Sequence, residues 1–407
     1  MPSPYATREA SPADSFVEAP PNSILDRAAE GTGLTSQEAL SLAEGADLSV
    51  LLQGATKLRD RFRERVVSYS RKVFIPLTHL CRDYCGYCTF RADPGELQQL
   101  YMMPEHVLKV AEAGRRAGCK EALFSLGDQP ETIFPEAREF LRRQGFDRTL
   151  QYLQAMCTLV LEETGLLPHA NPGLMGAEDL RCLKDSNVSM GMMLESTSNR
   201  LLRQGQAHWK APDKVPALRL RTLEEAGRQQ IAFTTGILIG IGETWAERVD
   251  SLCTIAALHK KYGHIQEVIV QPFRPKSDTR MAETPEAPTE DLKRTLAIAR
   301  LILGGEMNIQ SPPNLLSQDY PELLDTGMND WGGISPVTKD FINPEAAWPQ
   351  ISTLAQRTAA AGFALRERLA IYPEFSARPG FVNEKVRPFL ETLAGPDGYA
   401  REEAITC

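Results

Sequence analysis

The sequence predicts a closed parallel (β/α)8 barrel of the α/β class, preceded by an N-terminal helical extension. Three observations carry that prediction. Short apolar runs alternate with amphipathic helical patterns from residue 72 onward, which implies parallel strands with helices outside them. Around eight such units follow one another over about 270 residues, which favours a closed barrel over an open doubly wound sheet. Each motif able to carry chemistry comes directly after a predicted strand, where a barrel gathers its working loops.

Taken in order, residues 1–22 are rich in Pro, Ser, Ala and acidic groups and read as a disordered leader. Residues 23–70 form the helical extension. There Thr35-Ser36-Gln37-Glu38 resembles a capped helix start, and apolar residues then recur at three- and four-residue steps. The barrel is expected over 71–350, and a C-terminal helical segment and tail over 351–407. Strands are predicted at 72–79, 121–126, 166–171, 189–195, 231–239, 265–273, 307–311 and 331–335. Helices are predicted near 104–117, 147–164, 177–185, 213–229, 244–261 and 289–303, with Gly118, Gly165 and Gly227 placed for C-caps.

The totals narrow the function. Among 407 residues, 42% are hydrophobic and 24% charged, so the chain can bury a sizeable core. A net charge of -8 argues against a nucleic-acid binder, which normally shows a basic face. No apolar run is long enough to span a membrane, and MPSPYATREASPADSF lacks the plan of a secretory signal. A cytoplasmic protein is the expectation. Eight cysteines are too few for a disulfide scaffold in a chain of this length, yet three are crowded together.

Those three form Cys81-Arg-Asp-Tyr-Cys85-Gly-Tyr-Cys88, a C-x3-C-x2-C loop after the first strand. Thiolates suit iron and zinc. Structural zinc usually takes four ligands from paired C-x2-C units, and here Cys119, Cys157, Cys182 and Cys253 stand singly. A ferredoxin-type cluster would also take a fourth cysteine. Three thiolates on a four-iron cluster leave one iron open to bind a substrate or cofactor. The four scattered cysteines fit packing roles, and Cys407 belongs to the tail.

This spacing resembles the signature of the radical S-adenosylmethionine (SAM) superfamily, with Tyr87 at its usual aromatic position. The resemblance implies a [4Fe-4S] cluster on Cys81, Cys85 and Cys88, with SAM as the second cofactor. It also implies roles for neighbouring loops. Gly127-Asp128, after the second strand, look like a variant of the loop that binds the SAM amino group; the Gly lets the backbone come close and the acid can meet a cation. Gly236-Ile-Leu-Ile-Gly240-Ile-Gly242-Glu243 resembles the family's G-x-I-x-G-x-x-E motif, so Gly240 and Ile241 are expected at the adenine. A dinucleotide fingerprint is excluded there because Trp245 stands where its last Gly would be. Glu195 is expected at the ribose hydroxyls and Arg200 at the SAM carboxylate, with rim salt bridges as the rival role for both.

The blocks LFSLGDQPE, LPHANPGLM, TTGILIGIGET, YGHIQEVIVQPFRPK and NDWGGISPVT narrow the resemblance to the CofG-type subunit of 7,8-didemethyl-8-hydroxy-5-deazariboflavin (FO) synthase, over roughly residues 70–350. It implies a radical SAM lyase of coenzyme F420 biosynthesis. Such an enzyme uses a 5′-deoxyadenosyl radical to convert a hydroxybenzyl–ribitylimino-dihydrouracil adduct into FO with loss of ammonia. A CofH-type radical SAM partner would supply the adduct, and ferredoxin or flavodoxin the electron. Substrate contacts are expected from His169, Asn171, Gln271, Arg274, Asp330 and Trp331, with Asn314 and Asn329 as further amides. Gly332 and Gly333 are expected to let the backbone approach a flat ring. Two alternatives stand beside this reading. One is a biotin synthase-like or menaquinone-pathway radical SAM enzyme; the other is a non-enzymatic iron–sulfur electron carrier.

Overall fold

The computed structural model describes residues 21–316 and 319–401. The expected leader therefore lies outside the described residues apart from its last two, and so does Cys407.

Eight parallel strands close on themselves. They are β1 (Val66–Thr78), β2 (Glu121–Leu126), β3 (Leu167–Asn171), β4 (Ser189–Gly191), β5 (Phe233–Ile239), β6 (Ile265–Pro272), β7 (Ile309–Gln310) and β8 (Asp330–Ile334). The sheet runs in order from β2 to β8, then to β1, and a β1–β2 pairing shuts the barrel. The helices between the strands pack outside, each burying the apolar stripe that its periodicity announced. Thr244 caps the helix Trp245–Tyr262 through a reciprocal pair with Glu247, and Gly263 ends it in the left-handed region. Gly165 caps the helix before β3 in the same way. Gly227 does not: it lies inside the helix Pro216–Arg228, where a Cβ would come within 2.6 Å of the Tyr262 ring. Close helix packing, rather than chain reversal, calls for glycine at that position.

The helical extension comprises Pro21–Ala29, Ser36–Gly45 and Leu48–Phe62. Thr35 and Glu38 make the expected capping box. Leu42, Leu51 and Leu58 are buried in the same apolar core as the barrel, so these helices lean on the barrel wall and have no separate core. Arg59 reinforces that contact by donating to the carbonyl oxygens of Leu324 and Met328.

The C-terminal region holds more than helix and tail. Beyond the helix Ile351–Ala360, a ninth strand β9 (Ala364–Glu367) pairs in parallel with the first residues of β1, from Val66↔Ala364 to Tyr69↔Glu367. The chain then passes beneath the barrel as Arg368–Tyr372. Ala370 accepts hydrogen bonds there from Ser189 at the start of β4 and from Gln266 of β6. This strap carries Arg368 to the floor of the barrel, where Glu267 and Asp330 meet it at 2.8 and 2.7 Å.

Strand register sets the depth of each inward side chain. Lys72 lies level with Glu121, Phe74 with Leu123, and Leu123 with His169. Thr234 lies level with Glu267, and Leu238 with Gln271. From bottom to top, the interior passes from charged groups to a mixed waist and then to the loops at the strand ends.

Candidate active site

A cavity of about 340 Å³ runs down the barrel axis. Cys81, Cys85 and Cys88 line it at the strand-end mouth, and Lys72, Glu121, Glu267 and Arg368 line its floor.

The cysteine loop is held from three directions. Gly86 N–H donates to the Ala207 carbonyl at 2.6 Å, Tyr84 N–H to Lys210 at 2.9 Å, and Arg82 N–H to Asp128 at 3.0 Å. Gly127 is required by its approach to this loop: a Cβ would sit 1.9 Å from the Leu80 carbonyl oxygen and 2.5 Å from Cys81 Cβ. The Asp128 and Asp83 N–H groups point at Cys81 Sγ, at 3.2 and 3.4 Å. Backbone dipoles of this kind favour a thiolate. Burial alone pushes the other way and raises the Cys81 thiol to about 12, with Asp83 adding to it. A thiolate here therefore needs a cation bound to it.

Beside the loop lie three buried carboxylates, Asp83, Asp128 and Asp213, with oxygens within 4.8 Å of one another. Arg82 forks onto Asp213, and the Asp213 N–H donates to Asp83 at 3.0 Å. Asp128 is served only on one side: Oδ2 accepts from Leu174 N–H at 3.0 Å, while Oδ1 is buried without a partner among the described residues. Burial, with Asp213 behind it, raises this carboxyl to about 8. An orphaned acceptor facing a cavity is a place for a cationic or donor group of a ligand.

Glu195 also lines the cavity, at a φ of +66°, a conformation unusual for a side-chain-bearing residue. Lys214 meets its Oε1 at 2.6 Å. Burial works to raise the Glu195 carboxyl, yet Lys214 and Arg219 hold it below the usual range. Tyr87 lines the cavity and shares a 3.2 Å hydrogen bond with His208 Nε2.

Other expected contacts lie elsewhere. Arg200 does not line the cavity; it forks onto Glu247 and donates to the Gly242 carbonyl. Gly240 and Ile241 turn their N–H groups to the Glu243 carboxylate, each at 2.9 Å, and Glu243 pairs with Arg248. That motif thus builds a closed turn at the end of β5, and Leu238 is its residue on the cavity wall. His169, Asn171, Gln271 and Arg274 do line the cavity, Arg274 at the rim with Glu286 at 3.1 Å.

Asp330 and Trp331 do not. Asp330 belongs to the floor beneath the cavity, held by Arg368 and Ser68. Trp331, the next residue on the strand, faces the opposite side. It is buried against Tyr320, and its Nε1–H donates to Thr358 Oγ1 at 3.1 Å. Asn314 is bound to Asp340 and the Ala346 carbonyl, and Asn329 to Arg300 and Asn308. The paired glycines make room for protein side chains rather than for a ring. A Cβ on Gly332 would come within 2.1 Å of Gln310 Nε2, and one on Gly333 within 2.1 Å of Lys72 Cε.

Sequence reasoning missed Lys72, Glu121, Lys214, Arg219, Glu267 and Arg368, which all line the cavity. A charged residue inside a predicted apolar strand was the available signal for Lys72, Glu121 and Glu267. None existed for Arg368, which lies far beyond the strands that it serves.

Comparison with known proteins now bears on this geometry. The radical SAM superfamily profile matches residues 75–253. The 7,8-didemethyl-8-hydroxy-5-deazariboflavin synthase of Methanopyrus kandleri is 48% identical over 336 residues, which is 83% of this chain and 100% of that protein. The chain belongs to the FO synthase family. The FO synthase of Streptomyces coelicolor is likewise 48% identical over 395 residues, covering 94% of this chain but 46% of its own length. The chain thus spans about half the length of such curated relatives. The fold is also that of the FeFe-hydrogenase maturase HydG from Carboxydothermus hydrogenoformans, with a TM-score of 0.71 over 92% of this chain and 89% of that one, at 18% identity.

A [4Fe-4S] cluster and SAM are the cofactors of this radical SAM family. The cavity fits both. Three thiols and two N–H groups face one end of it, and beside them stand an unpartnered carboxylate oxygen and an ion-paired glutamate.

Proposed function

We propose that this chain is the radical SAM subunit that closes the deazaflavin ring of FO, acting on a hydroxybenzyl adduct of a ribityl-bearing uracil and releasing ammonia. The observation that carries the reading is the match at 48% identity over the whole length of the M. kandleri synthase, together with a cysteine-capped polar cavity in the barrel.

Cys81, Cys85 and Cys88 would hold the cluster, and Asp128 Oδ1 would accept from the SAM amino group. Glu195, held ionised by Lys214, would accept from the ribose hydroxyls, with Tyr87 packed beside the third cysteine. Bound there, cluster and SAM supply a 5′-deoxyadenosyl radical. The chain's own part is to seat the adduct below that point and to exclude water, by walls that are apolar at Leu123, Leu238 and Ile269. Asn171 and Gln271 would orient the heterocycle from the waist.

A CofH-type radical SAM partner would supply the adduct. The match covers 46% of relatives such as the S. coelicolor protein, which supports a second catalytic half in those relatives beside the one matched here. A ferredoxin or flavodoxin would deliver the electron. Among the described residues no helix is long and apolar enough to cross a membrane. The barrel and its C-terminal strap would act as one catalytic unit.

Anaerobic incubation of the cluster-loaded protein with SAM, dithionite and the adduct, read by FO fluorescence, tests the proposal. Fluorescent product with one 5′-deoxyadenosine formed per turnover is expected. SAM cleavage that leaves the adduct untouched would overturn it.

A further inference from the structure

A barrel of this type ordinarily fills its interior with layers of branched apolar side chains. Here the floor carries Lys72, Glu121, Glu267 and Arg368, each buried and each lining the cavity. The level above carries His169 and Gln310. Buried charges are costly, and six polar side chains in place of apolar ones demand a reason.

Glycines seat three of them. Besides the Gly333–Lys72 and Gly332–Gln310 contacts, a Cβ on Gly191 would come within 2.9 Å of His169 Nε2. These side chains lie flat on the wall where a neighbouring residue has no side chain, which leaves the space above them open. The strap adds Arg368 from outside the strands and closes the bottom.

Part of the hydrogen-bonding capacity of this layer is unused. Among the described residues Lys72 Nζ meets one charged group, Glu121 Oε1 at 2.8 Å, although an ammonium has three donors. His169 Nδ1 bonds Ser189 Oγ at 2.7 Å, whereas Nε2 has no bond to another described residue. The Gln310 amide makes none either. Such groups are satisfied when a ligand brings both donors and acceptors.

We propose that this floor binds a neutral linear polyol, the ribityl chain of the substrate, so that the ring system stands above it and faces the cysteine loop. The inference rests on the function proposed above. Charge chooses a polyol over an anion: Lys72 and Arg368 are already paired with Glu121, Asp330 and Glu267, the last pushed up to about 7 by burial, so a phosphorylated or carboxylate-ended chain would meet no unpaired cation. Chemistry chooses a polyol over a ring: successive hydroxyls donate and accept in turn, whereas the flat or apolar surfaces of Phe74, Leu123 and Ile269 begin only above Lys72, Glu121 and Glu267, at the level of His169 and Gln310.

The test compares two substrates in the cluster-loaded enzyme: the adduct with its full ribityl chain and an adduct whose chain is cut to methyl. A site built to bond hydroxyls rejects an analogue lacking them strongly, so the wild-type kcat/KM ratio is expected to reach roughly a hundredfold or more. In the double variant Lys72→Met/Glu121→Gln the ratio should collapse to within about tenfold of unity, with the truncated substrate little affected. Gly333→Ala keeps every charge and displaces the Lys72 stem; it should lower the ratio as well, and it carries the comparison should the double variant fail to load a cluster. Equal use of both substrates by the wild type, or an unchanged ratio in the variants, overturns the polyol site alone. Absence of FO from the full adduct in the wild type overturns the proposed function and this inference with it.

Discussion

The two ends of the cavity are both polar and buried, yet they are built in opposite ways. The mouth is assembled from short loops, each a few residues long: Cys81–Cys88 after β1 and Gly127-Asp128 after β2. Its key groups, three thiols and Asp128 Oδ1, are left open toward the cavity. The floor is assembled from single residues on β1, β2, β3, β6 and β7, with Arg368 arriving from beyond the barrel. Its charges are matched within the protein, Lys72 with Glu121 and Arg368 with Glu267 and Asp330. One end is prepared for groups that complete it. The other is stable as it stands and offers its remaining donors and acceptors.

The contrast can be broken most severely at the mouth. Replacing Cys81, Cys85 or Cys88 by Ala should abolish the cluster and all SAM cleavage, seen in iron content and in the broad cluster absorbance. Cys119→Ala and Cys157→Ala, both within the apolar core, should keep the cluster and lose only packing stability.

At the floor the same kind of change should act on folding. Arg368→Met strands the Glu267 and Asp330 carboxylates, and removing one partner of a buried ion pair costs about 3–5 kcal/mol. Denaturant unfolding of the apoprotein measures this. A loss below about 1 kcal/mol would mean that the strap is held by its backbone contacts and not by the ion pairs.

Asp128→Asn separates binding from assembly. It should leave the cluster in place and weaken SAM by about 1.5–3 kcal/mol, roughly ten- to a hundredfold. Titration of SAM into the reconstituted variant gives the answer, and unchanged affinity would reduce Asp128 to an anchor for the Leu174 turn.

A smaller effect is expected at Trp331→Phe, which removes the hydrogen bond to Thr358 at a cost of about 1 kcal/mol. FO and 5′-deoxyadenosine should fall together in this variant, because the ring packs outside the cavity. A selective loss of FO would return Trp331 to the substrate.

The last effect is one of pH, spread over a range of acidity rather than set by one substitution. Burial, aided by Lys72 and Arg368 against Glu121, lowers His169 to about 4 from its ordinary 6.5. Between those values the unfolded chain binds the proton and the folded one does not. Stability should therefore drop as pH falls from about 6.5 toward about 4, by up to about 1.4 kcal/mol per pH unit from this group. The slope of denaturation free energy against pH should be shallower in His169→Gln; an identical slope would place the titration elsewhere.

The barrel was legible because its evidence is local and repeated. All eight barrel strands and six of the helices can be read from apolar periodicity, and the helix Thr289–Leu303 agrees with the reading to the residue. Strand β7 is shorter than the predicted 307–311, and β9, with a half-exposed pattern, carries little such signal. The helix Pro135–Arg143 was missed because its composition is strongly charged and its apolar stripe narrow.

The same division runs through the site. By itself the sequence determined the cysteine triplet, the Gly127-Asp128 turn and the barrel that presents them, since each lies within a few consecutive residues. Only the tertiary structure decided that Asp330 meets Arg368, that Trp331 faces outward, and that Gly332 and Gly333 accommodate Gln310 and Lys72. Two neighbours on a strand point to opposite faces, and register sets what each one meets. The floor is a property of closure, because its residues come together only when the eighth strand reaches the first and the strap passes beneath them.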